Sequence, residues 1–198
     1  EVGYSSPMSS EATANKLLDA AQVLIQERGY NAFSYKDLAE DVGIRTASIH
    51  YHFPGKASLG LALMERYNDE LQLALAGIDG GGRTNKAKLK SFIKLYSDTE
   101  ARGAICLCGS LASDRETLPE PLQDAVKAYI ESSEQWIAST VKDGVREGEF
   151  AYAGRPADAA ATLLSSLQGG LILSRARGGT QPLLATLQRV FLRTLESA

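Results

Sequence analysis

The two histidines of the chain, His50 and His52, both fall within the nine-residue stretch SIHYHFPGK, which runs from Ser48 to Lys56. Imidazole rings can bind metal ions, transfer protons or form hydrogen bonds with a nucleic acid. A zinc site needs three or four protein ligands, and no third ligand lies near this pair in the sequence. Residues spaced i, i+2 also point to different sides of a helix. The sequence therefore predicts no metal site here.

The segment around the histidines combines cations with hydroxyl groups and contains no acidic residue. From Arg45 to Lys56 it carries two cations, two histidines, Thr46 and Ser48. Residues 1–57 as a whole have five Lys or Arg against seven Asp or Glu. A short helix with such side chains fits the DNA major groove. Its arginine, imidazole and hydroxyl groups can form hydrogen bonds with base edges, and a lysine or a tyrosine such as Tyr51 can contact a phosphate. Ordinary packing near a turn, with the histidines on a solvated face, is the alternative.

Apolar residues recur at three- and four-residue steps along almost the whole chain, and no stretch alternates in the manner of a strand. The sequence therefore predicts an all-α protein of about nine helices. They are expected over about 13–28, 34–43, 46–52, 57–76, 85–100, 105–113, 119–147, 156–177 and 181–197. Ser34 and Asp37 have the spacing of a capping box at the start of the second helix, and Gly43 suits the turn that follows it. The second and third helices thus have the order of a helix-turn-helix motif.

Composition and the absence of catalytic motifs narrow the class of protein. The chain has 198 residues, is 44% hydrophobic and carries a formal net charge of −3, unlike a uniformly basic nucleic-acid binder. No apolar run reaches the roughly 18 residues of a membrane span, and the N-terminus lacks the basic-then-apolar order of a signal peptide, so we expect a cytoplasmic protein. Common phosphate-binding, dinucleotide-binding, hydrolase and metalloprotease motifs are missing. We expect no catalytic residues, metal or cofactor; a small helical enzyme or ligand carrier is the alternative.

One continuous segment runs from Leu17 to Leu59 and reads LLDAAQVLIQERGYNAFSYKDLAEDVGIRTASIHYHFPGKASL. It contains a first helix ending in ERGY, a DLAEDVGI helix and turn, and a short helix that closes with Tyr-His-Phe before a lysine. This order resembles the DNA-binding signature of the TetR-type bacterial transcriptional repressors. The resemblance implies an N-terminal three-helix helix-turn-helix DNA-binding domain over residues 11–56. A larger helical effector-binding and dimerisation domain would follow over residues 57–198.

The resemblance also implies which side chains would contact an operator in double-stranded DNA. Those facing base edges would be Arg45, Thr46, Ala47 and Ser48. Those lining the groove and the DNA backbone would be His50, Tyr51 and His52, with Lys56 on a phosphate and further backbone contacts from Tyr35 and Lys36. Two departures are visible, because Arg45 stands where the family often has a capping serine and His50 where it often has a tyrosine. The operator sequence can therefore not be taken from a relative.

Members of this family act as homodimers, and the last two helices are the predicted dimer interface. The apolar and small residues expected there are Leu163, Leu167, Gly170, Leu171, Leu184, Leu187 and Phe191. The alternative is that these residues form only the core of the chain itself. The resemblance further implies that a small-molecule effector binds between the middle helices and releases the repressor from its operator. Candidate lining residues are Tyr96, Tyr129, Trp136 and Gln168, each of which would serve equally well in the core.

Two cysteines, Cys106 and Cys108, lie in the stretch GAICLCGSLASD. Some TetR-type repressors with a similar Cys-Leu-x-Gly stretch sense electrophiles, so modification of these thiols by an electrophile or oxidant is an alternative signal. Spacing of i, i+2 disfavours a disulfide between them. No lysine or histidine adjoins them in the sequence to lower a thiol pKa, and the nearest cation is Arg102. Free cysteine is also a common small apolar core residue.

Overall fold

The computed structural model describes residues 10–179 and 183–196, and within these ranges the regular structure is entirely helical. Nine α-helices are present there: α1 (Ser10–Arg28), α2 (Tyr35–Val42), α3 (Thr46–His52), α4 (Lys56–Asp79), α5 (Asn85–Ala101), α6 (Leu107–Ser113), α7 (Glu120–Arg146), α8 (Pro156–Ala176) and α9 (Leu184–Glu196). Short 3₁₀ turns cover Tyr30–Ala32 and Arg115–Thr117. The all-α prediction is confirmed. The predicted start of the last helix at 181 and its end at 197 lie outside the described residues.

The first three helices form a compact reader whose turns are set by local sequence. Ser34 and Asp37 make the predicted capping box at the start of α2, and the Asp37 carboxylate also accepts the Ser34 backbone N–H at 2.7 Å. Gly43 ends α2 in the left-handed conformation, with φ 73°. Leu38 and Ile49 are fully buried between the helices of the reader. These local bonds fix the angle at which α3 leaves the turn.

Helix α4 runs to Asp79, three residues beyond the prediction. The reason lies in the loop that follows, because the Arg83 guanidinium donates hydrogen bonds to the carbonyls of Gly77 and Ile78 at 3.2 and 3.1 Å. The last carbonyls of a helix have no intrahelical donor, so a cation there stabilises an extra turn. The glycines after Asp79 therefore begin the loop.

The end of α1 is bonded to α8, far away in the sequence. The Arg175 guanidinium donates to the carbonyl of Glu27 at 2.5 Å and also to the carbonyl of Gln26. A cation at the C-terminal end of a helix is favoured both by the exposed carbonyls and by the helix dipole. Arg175 thus ties the reader to the helical body.

A second set of bonds joins the reader to α6 and the turn after it. Ser110 donates its hydroxyl to the carbonyl of Ile25 at 2.7 Å in a buried position. The Asp114 carboxylate accepts the backbone N–H of Tyr30 at 2.8 Å. Movement of α6 would therefore be passed directly to the end of α1.

Helix α8 packs chiefly against α7, and also against α5 and α9. Its leucine-rich side faces this chain: Leu163 and Leu167 are fully buried, and Leu171 is nearly so. Gly170 allows α9 to approach, because a Cβ at this position would lie only 2.6 Å from the Leu184 side chain. These residues therefore lie in the core of the chain and not on an outer face of α8.

The residues predicted for the dimer interface contribute to the core of the chain itself, and their part in a dimer stays a prediction. The side chains that the chain itself buries or packs away are Leu163, Leu167, Leu171, Leu184 and Phe191, with Gly170 and Leu187 at the contact between α8 and α9. Side chains that are covered within the chain offer little surface to a second copy. Bulky apolar residues such as leucine and phenylalanine are commonly buried in the core of a single chain.

Within the described ranges, none of the helices combines the length and the apolar character needed to span a bilayer. Those residues also contain no group of three or more His, Cys, Asp or Glu side chains that could hold a metal ion.

Candidate nucleic-acid interface and ligand cleft

Helix α3 is held by its inner side and presents its outer side to solvent. Ile49 is fully buried, and Phe53, whose backbone N–H donates to the Ile49 carbonyl at 2.8 Å, is also in the core. On the opposite side Tyr51 is 79% exposed. The exposed or half-exposed residues of this outer side are Arg45, Ala47, Ser48, Tyr51 and His52. This set, the reader face, has the width of one helix and contains no acid.

Two hydroxyl residues from the first turn of α1 line the same surface as the reader face. Ser10 and Thr13 border the shallow depression formed by Arg45, Ser48 and Tyr51. They were not among the predicted DNA contacts, because α1 was expected to begin at about Thr13. The only signal available was the run of small hydroxyl residues before that helix.

Arg45 and Thr46 stand at the start of α3. Arg45 is the N-cap residue but makes no side-chain capping bond, and its side chain is exposed. Instead, the Arg45 carbonyl accepts the Ser48 backbone N–H at 2.9 Å. The absence of a capping serine therefore leaves the guanidinium on the reader face, while Thr46 is half-buried beside it.

The two histidines point in different directions. The His50 ring lies edge-on to Tyr35 with ring centroids 4.9 Å apart, and its Nδ1 is 3.2 Å from the Pro54 carbonyl. The His52 ring lies edge-on to Tyr51 at 5.1 Å. His52 therefore belongs to the reader face, whereas His50 is turned toward the start of α2.

Tyr35 has a structural bond within the reader. Its phenol donates to the Phe53 carbonyl at 3.0 Å, which joins the start of α2 to the end of α3. Burial, with a smaller contribution from the neighbouring Tyr30, raises the pKa of Tyr35 to about 12, so the phenol stays protonated. The predicted contact of this hydroxyl with the DNA backbone would require breaking that bond. The neighbouring Lys36 is 84% exposed and better placed for a phosphate.

Lys56 is also used inside the reader. Its ammonium group donates to the Phe33 carbonyl and lies 4.0 Å from the centroid of the Phe33 ring and 4.9 Å from that of Tyr30. Burial lowers the pKa of Lys56, while the charges of Asp114 and Asp37 oppose that shift. The predicted phosphate contact would require the ammonium group to leave the Phe33 carbonyl and the two rings, and it stays a prediction.

Several candidate effector residues meet in the helical body. Tyr96, Tyr129 and Cys106 line a small chamber of about 30 Å³ together with Tyr67, which the sequence analysis did not single out. The Tyr67 hydroxyl is 3.6 Å from the Cys106 sulfur. The Gln168 amide lies at the edge of this group, 3.5 Å from the Tyr96 hydroxyl. No local signal marks Tyr67, since its partners lie on other helices.

The other two candidates lie elsewhere. Cys108 is buried and its sulfur is directed toward the Val126 carbonyl at 3.9 Å. Trp136 stacks on Phe92 with ring centroids 5.5 Å apart and donates its indole N–H to Asp79 at 2.9 Å. Neither residue lines the chamber, and both pack against neighbouring helices, so their predicted part in ligand binding stays a prediction.

The chamber is the inner end of a larger cleft of about 490 Å³ between α1, α4 and α5. Tyr67, Leu95, Thr99 and Tyr129 line both spaces. Gln26 of α1 also lines the cleft, and its amide donates to the Ile105 carbonyl at 2.7 Å. The cleft is within the size range of small-molecule sites.

Comparison with known proteins supports both the reader and the helical body that follows it. The sequence model of the bacterial regulatory proteins of the tetR family matches residues 17–63. The model of the tetracyclin repressor-like C-terminal domain matches residues 86–190. Together these ranges include the reader and most of the helical body.

Individual relatives are transcriptional regulators. The HTH-type transcriptional regulator LmrA of Bacillus subtilis is 25% identical over 182 residues, which are 89% of this chain and 94% of LmrA. The HTH-type transcriptional repressor KstR2 of Rhodococcus jostii is 31% identical over 142 residues, 68% of this chain and 66% of KstR2. The crystal structure of a TetR-family transcriptional regulator from Agrobacterium tumefaciens superimposes with a TM-score of 0.90 at 28% identity, covering 96% of this chain and all of that one.

Proposed function

Because the chain belongs to the tetR family of bacterial regulatory proteins, we propose that it is a dimeric repressor that leaves its operator when a small molecule binds its helical body. That it is a DNA-binding transcriptional regulator follows from the family. The observation that carries the proposal is the exposed, acid-free reader face of α3. A helix of this width fits the major groove of B-form DNA.

Within the reader, base discrimination is assigned to Arg45 and Ser48, because guanidinium and hydroxyl groups can bond base edges. Tyr51 and His52 extend the same face toward the DNA backbone. Lys36, exposed at the start of α2, supplies a phosphate contact together with the first N–H groups of that helix. Ala47 lies within this face, and Thr46 and His50 border it.

A dimer is supported by apolar side chains that the single chain leaves in solvent. Ile172 and Leu173 of α8 are 48% and 51% exposed, and Val190 of α9 is 58% exposed. On the same outer side of α8 lie small residues that allow close helix approach, namely Ala161, Thr162, Ser165 and Gly169. Two copies joined there would offer two readers to successive major grooves, about 34 Å apart.

The cleft between α1, α4 and α5 is the proposed effector site. A ligand there would contact Gln26 on α1, and α4 begins beside the reader at Lys56. The Arg175 bonds to the end of α1 connect that helix to α8, one of the two helices of the proposed dimer face. A ligand that favours one arrangement of these helices would shift the spacing of the two readers.

Thiol modification is the second candidate signal. Cys106 and Cys108 are only 2% and 1% exposed. Burial, reinforced by the neighbouring Cys106, raises the pKa of the Cys108 thiol, which keeps it protonated and unreactive. The tyrosine chamber around Cys106 therefore supports reversible ligand binding better than covalent sensing. Loss of operator binding with a mild electrophile, abolished by Cys106→Ser, would reverse that preference.

The proposed function is tested by DNA binding across salt concentration. Fragments selected from the DNA upstream of its own gene should bind the purified protein, and log Kd should rise steeply with log salt because neutralised phosphates release counterions. Salt-independent binding, or no binding to any genomic duplex, would contradict the proposal.

A further inference from the structure

We propose that the effector is an uncharged aromatic compound carrying a hydroxyl or carbonyl oxygen, bound in the cleft with that oxygen directed at the tyrosine chamber. This inference rests on the proposed effector-responsive function and names the ligand class of the same site. It follows from three properties of the cleft: an apolar wall, an inner end made of neutral hydroxyl groups, and a mouth whose charges cancel.

The wall of the cleft is apolar on two sides. Val23 of α1, Leu71 and Ala74 of α4, and Leu95 of α5 line it. Val23 is 51% exposed, so its side chain is accessible to a ligand. A hydrophobic ligand would cover these side chains and remove them from water.

The inner end consists of three tyrosines whose hydroxyl groups stay neutral. Burial is the largest cause that raises the pKa of Tyr67, Tyr96 and Tyr129 well above the ordinary value for tyrosine. The hydroxyl of Tyr129 interacts with those of Tyr67 and Tyr96, and the group also meets the Cys106 sulfur at 3.6 Å and the Gln168 amide at 3.5 Å. A ligand oxygen directed at this group would meet neutral hydroxyl partners that can donate or accept.

The charges around the cleft mouth balance one another. The Asp19 carboxylate is 2.8 Å from the Arg66 guanidinium, which also lies 3.7 Å from Glu70. Asp98 pairs with Lys94 at 2.6 Å. The three carboxylates line the cleft together with Arg102, whereas Arg66 and Lys94 balance them from outside the lining.

The six residues that line the chamber include no lysine, arginine, histidine or carboxylate. A charged ligand would give up its hydration there without meeting a counter-charge, which is costly. A neutral ligand avoids that cost, so the cleft selects against anions and cations alike.

The aromatic character of the ligand follows from the wall shared by the cleft and the chamber. The rings of Tyr67 and Tyr129 are stacked there, with centroids 5.2 Å apart and planes 24° from parallel. Offset or edge-on packing of another ring against such a pair adds to the gain from area burial alone. An aromatic ring therefore uses this wall better than an alkyl chain.

Three naphthalene probes that differ only in their polar group test this inference on the whole chain. They are 2-naphthol, which is uncharged at pH 7, 2-naphthoate, which is an anion, and 2-naphthylmethylamine, which is a cation. Titration calorimetry should give 2-naphthol a Kd at least about tenfold lower than that of either charged probe. Equal or tighter binding of a charged probe would overturn the inference, and so would the absence of 2-naphthol binding.

Variants locate the bound probe. Tyr129→Phe should weaken 2-naphthol binding by about three- to tenfold, because one hydroxyl partner is lost while the ring remains. Tyr67→Phe is the second variant, and a thermal melt of each shows that the fold is kept. Tyr152→Phe, before α8 and away from both spaces, is the matched control and should bind like the wild type. Unchanged binding in both chamber variants would overturn the assignment.

Operator binding is measured without any probe, so that failure of the ligand class can be distinguished from failure of the proposed DNA-binding function. A chain that binds its operator but prefers a charged probe, or binds none, would leave the DNA-binding function standing and remove only the ligand class. A chain that binds no operator would remove the proposed function itself.

Discussion

Lys36 and Lys56 each stand at the start of a helix, but their side chains have different environments. Lys36 stands at the start of α2 with its side chain 84% exposed and its ammonium group 4.0 Å from Glu40. Lys56 stands at the start of α4 with its ammonium group against the rings of Tyr30 and Phe33. A phosphate contact needs an accessible cation, so the structure favours Lys36 for that role.

Substitution of reader residues should separate affinity from specificity. Lys36→Ala should weaken all duplexes alike and reduce the slope of log Kd against log salt by about 1, since one phosphate contact is lost. Arg45→Ala should instead relax discrimination at one or two base pairs by about 1–3 kcal/mol. Fluorescence anisotropy on the operator and its single-base variants measures both effects.

Lys127 of α7 provides the matched control for those substitutions. It is an exposed lysine that pairs only loosely with Glu131, at 3.7 Å, and belongs to α7, outside the three helices of the reader. Lys127→Ala should leave affinity, salt slope and base preference unchanged. Equal losses in Lys36→Ala and Lys127→Ala would show that α2 does not contact DNA.

The enclosed ammonium of Lys56 should matter for stability. Lys56→Met keeps the length of the side chain but removes the bond to the Phe33 carbonyl and the two cation–π contacts. We expect a loss of about 1–2 kcal/mol in the free energy of unfolding, measured by urea denaturation. Lys36→Met, at an exposed site, should change it by less than about 0.5 kcal/mol. No difference between the two variants would contradict the structural role.

At the scale of the element, the start of α5 depends on residues that come after α7. The Glu149 carboxylate accepts the backbone N–H of Asn85 at 2.9 Å and that of Lys86 at 3.1 Å. The Thr84 hydroxyl accepts the backbone N–H of Ala87. The first N–H groups of a helix have no intrahelical acceptor, and a negative charge there also favours the helix dipole. Two helices distant in sequence are joined by this cap.

The cap makes a prediction with a definite pH dependence. Burial pushes the pKa of Glu149 upward, but the N–H donors of Asn85 and Lys86 outweigh it, so the net shift is below the ordinary 4.5. A carboxylate with a lowered pKa in the folded state stabilises the fold above its unfolded pKa and loses that effect as the pH falls. Glu149→Gln should cost about 1 kcal/mol at pH 7. Urea denaturation should show this gap shrinking below about pH 4.5.

Glu131→Gln, on the exposed side of α7, is the control for the charge change. The free energy of unfolding of this variant should stay close to that of the wild type both at pH 7 and below about pH 4.5. A Glu149→Gln gap that stays constant down to pH 3 would mean that the charge of this carboxylate does not support α5.

At the scale of the whole molecule, the outer side of α8 decides how two copies could meet. Ile172 and Leu173 continue the row of small residues on that side, and Val190 of α9 is exposed too. The leucines of α8 are turned the other way, into the core. An interface of small residues with a few apolar ones lets helix backbones approach closely.

A charge placed on that outer side should separate the copies. Leu173→Glu should convert the dimer to a monomer in light scattering after size exclusion, because a carboxylate would be buried without a partner. Operator affinity should then fall by about 10²- to 10⁴-fold, as expected when two linked readers become one. Leu73→Glu is the control, since Leu73 of α4 is 74% exposed away from this side. A dimeric Leu173→Glu would place the interface elsewhere.

The sequence by itself determined the helices and the class of the protein. The capping box of Ser34 and Asp37, the left-handed Gly43 and the helical span Thr46–His52 were all predicted and are confirmed. The reason is that capping and turn bonds join residues within four positions of each other, so their signals are local. The same local pattern carries the family signature.

Only the tertiary structure decided which side of each helix faces inward. The leucines of α8 lie in the core of the chain, the Lys56 ammonium group lies against aromatic rings, and Tyr67 meets Cys106 from 39 positions away. Periodicity marks an apolar side but does not say whether this chain or another molecule covers it. That choice depends on packing between helices distant in the sequence, which local patterns do not encode.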